Sequence, residues 1–339
     1  MTTSRLAEFS KLRVAVVGDL IADHYLNAQP RRLSREAPVM VMRYVSEAIG
    51  AGGAANVARN LRALGSAVSL LGVVGDDKQG AELVRLLDAE SVDTSGVRFL
   101  VGYETPTKTR VLAAQSRRSA HQVLRIDREP EHAIESSARE AIARDLASIG
   151  RGADAVIVSD YEYGLAGIEI AAVARELARA GKIVVLDPRC DVDQYTGIAA
   201  LTPNVDEVAR FTNTPPDRLD DPCDLRRAAA SLLQVARCRL LLVTRGNLGM
   251  ALFGEDLPAE GVFVDAIGTG DDVTDVCGAG DTATAVFTLA LAAGHRPPAA
   301  MNLANAASGV VVLKPGAAVC SASEVESALC MAPESGRPC

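Results

Sequence analysis

The chain has 339 residues, 48% of them hydrophobic, so it can bury a large core and is not a disordered protein. Its 43 acidic and 35 basic residues give a formal net charge of −8, which argues against a general nucleic-acid binder and leaves room for a local basic pocket. No apolar run reaches the roughly 18 residues that a membrane span needs, and no long apolar signal core follows the first residue. We therefore expect a globular protein without nucleic-acid or membrane partners.

The cysteines are scattered and lack the spacing of a disulfide framework or a zinc site. This pattern favours a reducing cytoplasm. The seven positions are 190, 223, 238, 277, 320, 330 and 339.

Along the chain, short β-branched runs alternate with segments of helical period that are rich in Ala, Leu and Arg. The first are LRVAVVGD, AANVARNLRALG, AVSLLGVVG and AELVRLLDAE, and the alternation continues through ADAVIVSD, GIEIAAVARELARAG, KIVVLDP and RLLLVTRG. Strands buried on both faces of a parallel sheet read as continuous apolar runs of this kind. The sequence predicts an α/β fold with a doubly wound, mostly parallel sheet flanked by helices.

Two segments, at about 25–47 and 97–128, break this rhythm. Their residues alternate as in half-exposed strands, and basic residues cluster in them. We predict that they form a small β lid within one domain of residues 1–330, followed by a loose tail at 331–339. The lid segment VMVMRYV is apolar on both faces and would invite pairing with a second chain, so we also expect a homodimer through the lid.

Polar residues follow most of the apolar runs. Ligands of open α/β sheets gather at the carboxyl ends of the strands, so these residues are candidates for a binding site. Any single Asp there could equally cap the next helix or turn, but the repetition favours a site. The residues are Asp19, Asp23, Asp160, Asp187, Asn204, Glu207 and Thr244.

The segment GAGGAANVARNLRALG precedes the second core strand. Gly50, Gly52 and Ala55 imitate a dinucleotide fingerprint, but the segment does not follow the first core strand and no acidic residue ends the next one, which disfavours NAD. Gly52, Gly53 and Asn56 at a helix N-terminus would let a polyhydroxylated ligand approach the backbone. Close helix packing around a buried Asn is the alternative.

The stretch DAIGTGDDVTDVCGAGD contains two copies of Asp-x-x-Gly-x-Gly-Asp. Asp271 ends the first copy and precedes a polar, turn-like sequence, whereas Asp281 ends the second and precedes the apolar helical segment TATAVFTLALAAG. At the start of that helix, the N–H groups of Gly278, Ala279 and Gly280 would be free to hold a phosphate. We predict that Asp281 is a general base and that the first copy is an exposed turn.

Together these motifs resemble the ribokinase-like (PfkB-type) sugar kinases. The resemblance covers almost the whole chain, from VGDLIAD and GAGGAANVARNLRALG through TPNVDE, LLVTRG and DVCGAGDT to ANAASGVV. Within the family, RRLSREAPVMV, TPTKTRVL, RID and SDY are most similar to bacterial D-glycero-D-manno-heptose-7-phosphate kinases. The resemblance implies transfer of the γ-phosphoryl group of ATP to a sugar hydroxyl, with Mg²⁺ as cofactor.

The resemblance also implies roles for individual residues. Asp23, Gly53 and Asn56 would hold sugar hydroxyls, and Asn204 and Glu207 would order Mg²⁺ and phosphates without ligating the metal directly. Thr244 and Gly246 would flank the nucleotide, Asn305 would lie near adenine, and Asp275 matches a position associated with a monovalent cation such as K⁺.

Basic residues in the lid segments favour an acceptor that already carries a phosphate. The candidates are Lys108, Arg110 and Arg125, together with arginines 31, 32 and 35, and the alternative for such residues is a solvated face. The sequence also departs from the heptose-kinase pattern, with Cys277 in place of Thr, Tyr163 and Arg189 in place of Lys, LKPGA in place of GKLGT near 313–317, and a longer QSRRSAHQ stretch. A kinase for another sugar or a nucleoside, and a non-catalytic sugar or nucleotide sensor, are the alternative functions.

Overall fold

The computed structural model describes residues 6–113, 121–267 and 273–331, which form a large sheet, a small sheet and flanking helices. The large sheet contains β1 (Arg13–Gly18), β4 (Ala67–Gly75), β5 (Asp93–Leu100), β8 (Ala155–Ser159), β9 (Ile183–Asp187), β10 (Ala200–Leu201), β11 (Leu240–Thr244), β12 (Met250–Gly254) and β13 (Val262–Val264). The small sheet contains β2 (Leu20–Leu33), β3 (Met40–Gly53), β6 (Thr107–Ala113) and β7 (His121–Arg128). The helices are α1 (Ala54–Ala63), α2 (Lys78–Ala89), α3 (Ser136–Gly152), α4 (Ile168–Arg179), α5 (Val205–Thr212), α6 (Pro222–Ala236), α7 (Ala279–Ala292), α8 (Pro297–Val311) and α9 (Ala322–Met331).

The large sheet has the order β13-β12-β11-β10-β9-β8-β1-β4-β5. Neighbouring strands are parallel from β11 to β5, while β12 and β13 add an antiparallel edge. The prediction of a doubly wound, mostly parallel sheet is confirmed. None of the helices in the described ranges is long and apolar enough to cross a membrane.

The large sheet has a hydrophobic core on each face, which explains the continuous apolar runs in the sequences of its strands. In β1, Val14 and Val16 pack into the core that α1, α2, α7, α8 and α9 cover, while Ala15 and Val17 pack into the core under α3 to α6. Both sets are almost fully buried. Successive strand residues point to opposite faces, so a strand covered on both sides needs apolar residues at every position.

The small sheet has the order β3-β2-β6-β7 and contains most of the two segments predicted to form a β lid, so we call it the lid. It includes more of the chain than the range 25–47, because β2 begins at Leu20 and β3 continues to Gly53. Residues 97–100 of the second range do not belong to it, because they end β5 in the large sheet. Residues 332–339 of the expected tail lie outside the described ranges, and Met331 ends α9.

The polar residues that follow the strands meet at one edge of the large sheet. Gly18, Ser159 and Asp187 lie side by side in register at the carboxyl ends of β1, β8 and β9. The lid continues directly from this edge, since β2 follows β1 after Asp19 and its first residues are buried. A ligand bound at the edge would therefore lie between the large sheet and the lid.

Candidate active site

The second Gly-x-Gly-Asp copy forms the start of α7. Gly278 has a φ of +77°, and a Cβ there would lie 2.4 Å from Asn56 Nδ2, so the position requires glycine. Among the described residues, no heavy atom outside the backbone of this helix turn lies within 4 Å of the position that a Cβ on Gly280 would take, so these residues leave space in front of the helix. The Ala279 N–H donates to Val276 O at 3.3 Å, so of the three predicted donors this one has a partner within the turn.

Asp281 lies in the first turn of α7 and is buried. Its Oδ2 accepts a hydrogen bond from Asn56 Nδ2 at 2.8 Å, and its Oδ1 accepts one from the Tyr161 hydroxyl at 2.7 Å. Burial raises the pKa of Asp281 to about 6, and these two hydrogen bonds oppose the rise. A carboxylate with this pKa is ionised at neutral pH and can accept a proton there.

Asn56 belongs to a buried chain of side-chain hydrogen bonds. Asn60 Nδ2 donates to Asn56 O at 3.0 Å, and Thr282 Oγ1 donates to Asn60 Oδ1 at 3.0 Å. The chain joins α1 to α7 and fixes the amide that faces Asp281. Asn56 is thus buried in close helix packing, as the alternative prediction stated. The same packing directs its amide at Asp281, the candidate base.

The glycines before α1 are required by close packing. A Cβ on Gly52 would lie 2.9 Å from Asp23 Oδ2, and one on Gly53, where φ is +58°, would lie 2.6 Å from Asp19 O. Gly52 therefore leaves room beside the Asp23 carboxylate, which is where a sugar hydroxyl was predicted to bind.

Asp23 and Arg110 form a buried ion pair between β2 and β6. Arg110 Nη1 donates to Asp23 Oδ1 at 2.5 Å, and the guanidinium lies 5.6 Å from the centre of the Tyr25 ring. Burial raises the pKa of Asp23, and the charge of Arg110 opposes the rise. The Arg110 guanidinium is thus paired with Asp23 in this structure, whereas the sequence made Arg110 one of several candidates for binding a substrate phosphate.

Lys108 and Arg125 lie on neighbouring lid strands and differ in their partners. Arg125 donates to both carboxylate oxygens of Asp127, at 2.7 and 2.6 Å. The half-buried Lys108 ammonium makes no hydrogen bond or ion pair with any part of the chain that the structure describes. Burial, and then the charge of Arg125, lower the pKa of Lys108.

Both cations line a cleft of about 940 Å³ between the lid and the large sheet, and Tyr161, Arg189 and Glu207 line its other side. The arginines at 31, 32 and 35 are exposed near the outer end of β2. Arg31 lies eight residues along this strand from Asp23, roughly 26 Å away at the usual strand rise. A sugar held at Asp23 would therefore meet Lys108 and not these arginines.

Asn204 and Glu207 form a capping box at the start of α5. Glu207 Oε2 accepts from the Asn204 N–H and Oε1 from Asn204 Nδ2, both at 2.8 Å, while the Glu207 N–H donates to Asn204 Oδ1 at 2.9 Å. Glu207 also pairs with Arg189. Both Glu207 oxygens are engaged, so the pair fits contact with Mg²⁺ through water better than direct ligation.

Three residues predicted to bind the nucleotide lie at the end of β11, in the turn after it and on α8. Thr244 donates its N–H to Pro203 O at 3.0 Å, which places it beside Asn204, and Gly246 is exposed with a φ of +56°. Asn305 on α8 is buried and donates to Asp265 O at 2.8 Å. The Asn305 amide is thus tied to the segment after β13.

Asp275 connects the turn before α7 to the loop after α8. It accepts from the Cys277 N–H at 2.9 Å and the Gly316 N–H at 3.1 Å. Burial raises the pKa of Asp275, but hydrogen bonds from Cys277 and Gly316 outweigh it and hold the pKa below its ordinary value. An ionised carboxylate beside two turns fits the predicted cation position. Asp271 of the first copy lies outside the described residues.

Two further acidic residues at the strand ends hold loops in place. Asp19 accepts from the N–H groups of Tyr161, Tyr163 and Leu165. Asp160 accepts from three backbone groups in the same way, those of Glu162, Arg189 and Cys190. For these two residues the turn-capping alternative is correct.

The Tyr161 hydroxyl and the contacts around Asp187 were not expected from the sequence, although Asp187 itself was a strand-end candidate. Asp187 ends β9 and is partly exposed, and desolvation of its carboxyl, followed by the charges of Glu207 and Asp281, raises its pKa well above the ordinary value. The Arg189 guanidinium lies 5.0 Å from the centre of the Tyr161 ring. A tyrosine after a strand has no charge pattern that singles it out, and only its place in the SDY segment could have drawn attention to it.

The model of the pfkB family carbohydrate kinases matches residues 11–324 of the chain. The chain is 39% identical over 326 residues to the bifunctional protein HldE of Desulfatibacillum aliphaticivorans, covering 95% of this chain and 64% of that protein. It is 38% identical over 324 residues to the same-named protein of Geobacter metallireducens, again with 95% and 64% covered. The chain therefore spans less than two thirds of the length of these curated relatives.

Solved structures share the fold at lower identity. The ribokinase of Arabidopsis thaliana, complexed with ribose and ATP, is 23% identical with a TM-score of 0.71, covering 95% of this chain and 99% of that one. Phosphofructokinase-2 of Escherichia coli, in complex with potassium, is 17% identical with a TM-score of 0.74, covering 94% and 98%.

Proposed function

The chain belongs to the pfkB family of carbohydrate kinases, and we propose that this ATP-dependent sugar kinase phosphorylates a sugar that already carries a phosphate, namely D-glycero-D-manno-heptose 7-phosphate. The product would be the 1,7-bisphosphate. The observation that carries the proposal is the half-buried Lys108 ammonium, which lines the cleft and makes no hydrogen bond or ion pair with the described residues, although the charges of Asp127 and Asp23 act on it. The likeness of the lid segments to those of heptose-7-phosphate kinases supports the choice of sugar.

Asp281 is the proposed general base. A sugar hydroxyl is a weak nucleophile at neutral pH, so a carboxylate within hydrogen-bond reach must accept its proton as the γ-phosphoryl group arrives. Asp281 is buried, ionised above about pH 6 and held by two donors. The backbone N–H groups of Gly278 and Gly280 at the N-terminus of α7 would hold the phosphoryl group during transfer.

The acceptor would lie between Asp281 and the lid. Asp23 Oδ2 is free of the Arg110 pair and lies beside Gly52, so it can accept a hydrogen bond from a sugar hydroxyl. Lys108 is the register neighbour of Asp23 on β6. A phosphate at the far end of the sugar would form charge-assisted hydrogen bonds with Lys108.

Asn204, Glu207, Thr244, Gly246 and Asn305 form the proposed nucleotide side of the site. Mg²⁺ bound with ATP would offset the charge of the phosphates. In this proposal Glu207 orders that ion through water, because its carboxylate is engaged by Asn204 and Arg189. Asp275 is proposed to face a monovalent cation, and replacing K⁺ by Na⁺ in the assay tests this role.

The experiment that tests the function is a screen of ATP consumption. The acceptors are heptose 7-phosphate, fructose phosphates, ribose and nucleosides, each phosphorylated sugar being paired with its unphosphorylated form. We expect the highest kcat/KM for heptose 7-phosphate. Equal kcat/KM for the paired forms would overturn the phosphorylated acceptor, preference for a nucleoside or free sugar would support the alternative kinase, and ligand binding without turnover would support a sensor.

A further inference from the structure

We propose that Tyr161 is a positioning residue that holds the carboxylate of Asp281 in the orientation needed to accept a proton. This inference rests on the proposed function, in which Asp281 is the base. The Tyr161 hydroxyl donates to Asp281 Oδ1, opposite the Asn56 amide on Oδ2.

Tyr161 is itself held at three points. Its backbone N–H donates to Asp19 Oδ2 at 2.8 Å, its ring lies against the Arg189 guanidinium, and its hydroxyl donates to Asp281 at 2.7 Å. Arg189 is in turn paired with Glu207. A phenol held at its backbone, ring face and hydroxyl is a fixed donor and not a side chain that swings away when a substrate enters.

Two donors on opposite oxygens restrict rotation of the carboxylate. With Asn56 alone, the group could turn about its Cβ–Cγ bond, because a single hydrogen bond leaves that torsion broad. With Tyr161 added, each oxygen has one donor and retains a lone pair, so the remaining lone pairs point in defined directions. Holding a catalytic group within a small angle of its productive geometry is worth a large part of its rate effect.

The effect of the Tyr161 hydrogen bond can be measured through the pKa of Asp281, which also depends on the charges around it. Asp23 on β2 and Asp187 at the end of β9 disfavour the ionised form, while Arg189 beyond β9 favours it. Burial, together with the charge of Asp281, raises the pKa of Tyr161 well above its ordinary value, so the phenol remains a donor throughout the working range. Removing this donor takes away support for the ionised carboxylate, and the pKa of Asp281 rises further.

The test compares Tyr161→Phe with Tyr195→Phe. The Tyr195 hydroxyl is buried and donates to Ala166 O at 2.8 Å, outside the site, so the control also loses one hydrogen bond made by a tyrosine hydroxyl. For Tyr161→Phe we expect kcat to fall about 10-fold near pH 6, and the acidic limb of kcat/KM to move upward by about one pH unit. The deficit should shrink above pH 8, and the KM for ATP should not change. Tyr195→Phe should keep the wild-type pH profile.

An unchanged acidic limb in Tyr161→Phe would overturn the inference. So would a higher kcat, which would mean that the phenol merely occupies the place of the acceptor hydroxyl. If Tyr161→Phe does not fold, 3-fluorotyrosine in place of Tyr161 is the second test, because its stronger donor should move the acidic limb to lower pH, and an unmoved limb would overturn the inference. Full activity in Asp281→Asn would instead show that Asp281 is not the general base, and would overturn the mechanism given under the proposed function.

Discussion

The two ends of the proposed acceptor site differ in how completely their charged groups are paired. At the start of α7, each oxygen of Asp281 has a hydrogen-bond donor and the residue is buried. On β6, the Lys108 ammonium has no partner among the described residues and lines an open cleft. In the proposed site, the protein itself holds the carboxylate at the reactive end. At the acceptor-binding end, the Lys108 ammonium is left to pair with an anionic group of the substrate.

Arg110 shows that this difference is not simply one between the large sheet and the lid. It lies two residues from Lys108 on the same strand, yet it is buried and paired with Asp23. A buried charge without a partner is strongly unfavourable, so a fully buried cation must be paired by the protein. Lys108 is only half-buried, and water can solvate its ammonium until an anion binds.

The largest expected effect comes from removing the charge at the preorganised end. Asp281→Asn should lower kcat by about 10²–10⁴ with little change in ATP affinity, because an amide cannot accept the proton. Rapid-quench kinetics and nucleotide-binding titrations measure the two quantities. Asp271→Asn is the control from the first Gly-x-Gly-Asp copy and should keep near wild-type activity. Comparable losses in both variants would contradict the choice between the copies.

Breaking the buried pair of the lid should have the second largest effect. Arg110→Ala leaves Asp23 buried without its partner, and we expect a loss of about 3–5 kcal/mol in the free energy of unfolding, measured by urea denaturation. Arg125→Ala breaks a more exposed pair with Asp127 and should cost at most about 1 kcal/mol. Because Arg110 acts through Asp23, its loss should lower kcat/KM equally for phosphorylated and unphosphorylated acceptors. Similar stability losses in the two variants would contradict the distinction.

The fold could be predicted because its signals are local. The apolar run of β1 and the helical periods around it depend only on burial at each position, so the doubly wound sheet follows from them. The lid boundaries were less accurate, since Leu20 and its neighbours are buried and read as core although they pair with β3 and β6. Whether a strand joins one sheet or another depends on long-range pairing that periodicity does not encode.

The site could be predicted only as far as residue types at strand ends and helix starts. Asp281 was chosen because an apolar helix follows it, and its location in the first turn of α7 agrees with that choice. The partner of Arg110 and the freedom of Lys108 could not be read from the sequence, since both residues alternate with the same spacing on β6. The contact of Tyr161 with Asp281 could not be predicted either, because the two residues are 120 positions apart in the chain.

Lys108→Ala tests whether the lysine at the acceptor-binding end binds the phosphate of the acceptor. We expect kcat/KM for heptose 7-phosphate to fall about 10–100-fold, as for the loss of a hydrogen bond between charged groups, while unphosphorylated sugars react as before. Lys11→Ala removes an exposed lysine elsewhere, paired with Glu8, and controls for net charge. Steady-state kinetics with each pair of acceptors measures the preference. Its persistence in Lys108→Ala would show that the cleft lysine does not select the phosphate.

The smallest effect on chemistry should come from the outer face of the lid, which we propose pairs two copies of the chain. Leu124 and Ile126 alternate with Arg125 and Asp127 on β7, so they lie on the face opposite the charged residues, and both side chains are more than half exposed. Apolar residues on an edge strand favour association.

We expect a dimeric mass by light scattering at micromolar concentration and a shift towards monomer in Ile126→Glu. Val235→Glu places the same charge at an exposed apolar position of α6 and should remain dimeric. In Ile126→Glu, kcat at saturating acceptor should stay within a few-fold of wild type, because the two side-chain hydrogen bonds that Asp281 accepts come from α1 and from the loop after β8. The acceptor KM should rise instead, because Lys108 depends on the lid for its position. A monomeric wild type, or a kcat loss as large as that of Asp281→Asn, would break the separation between a preorganised base and a lid that binds the acceptor.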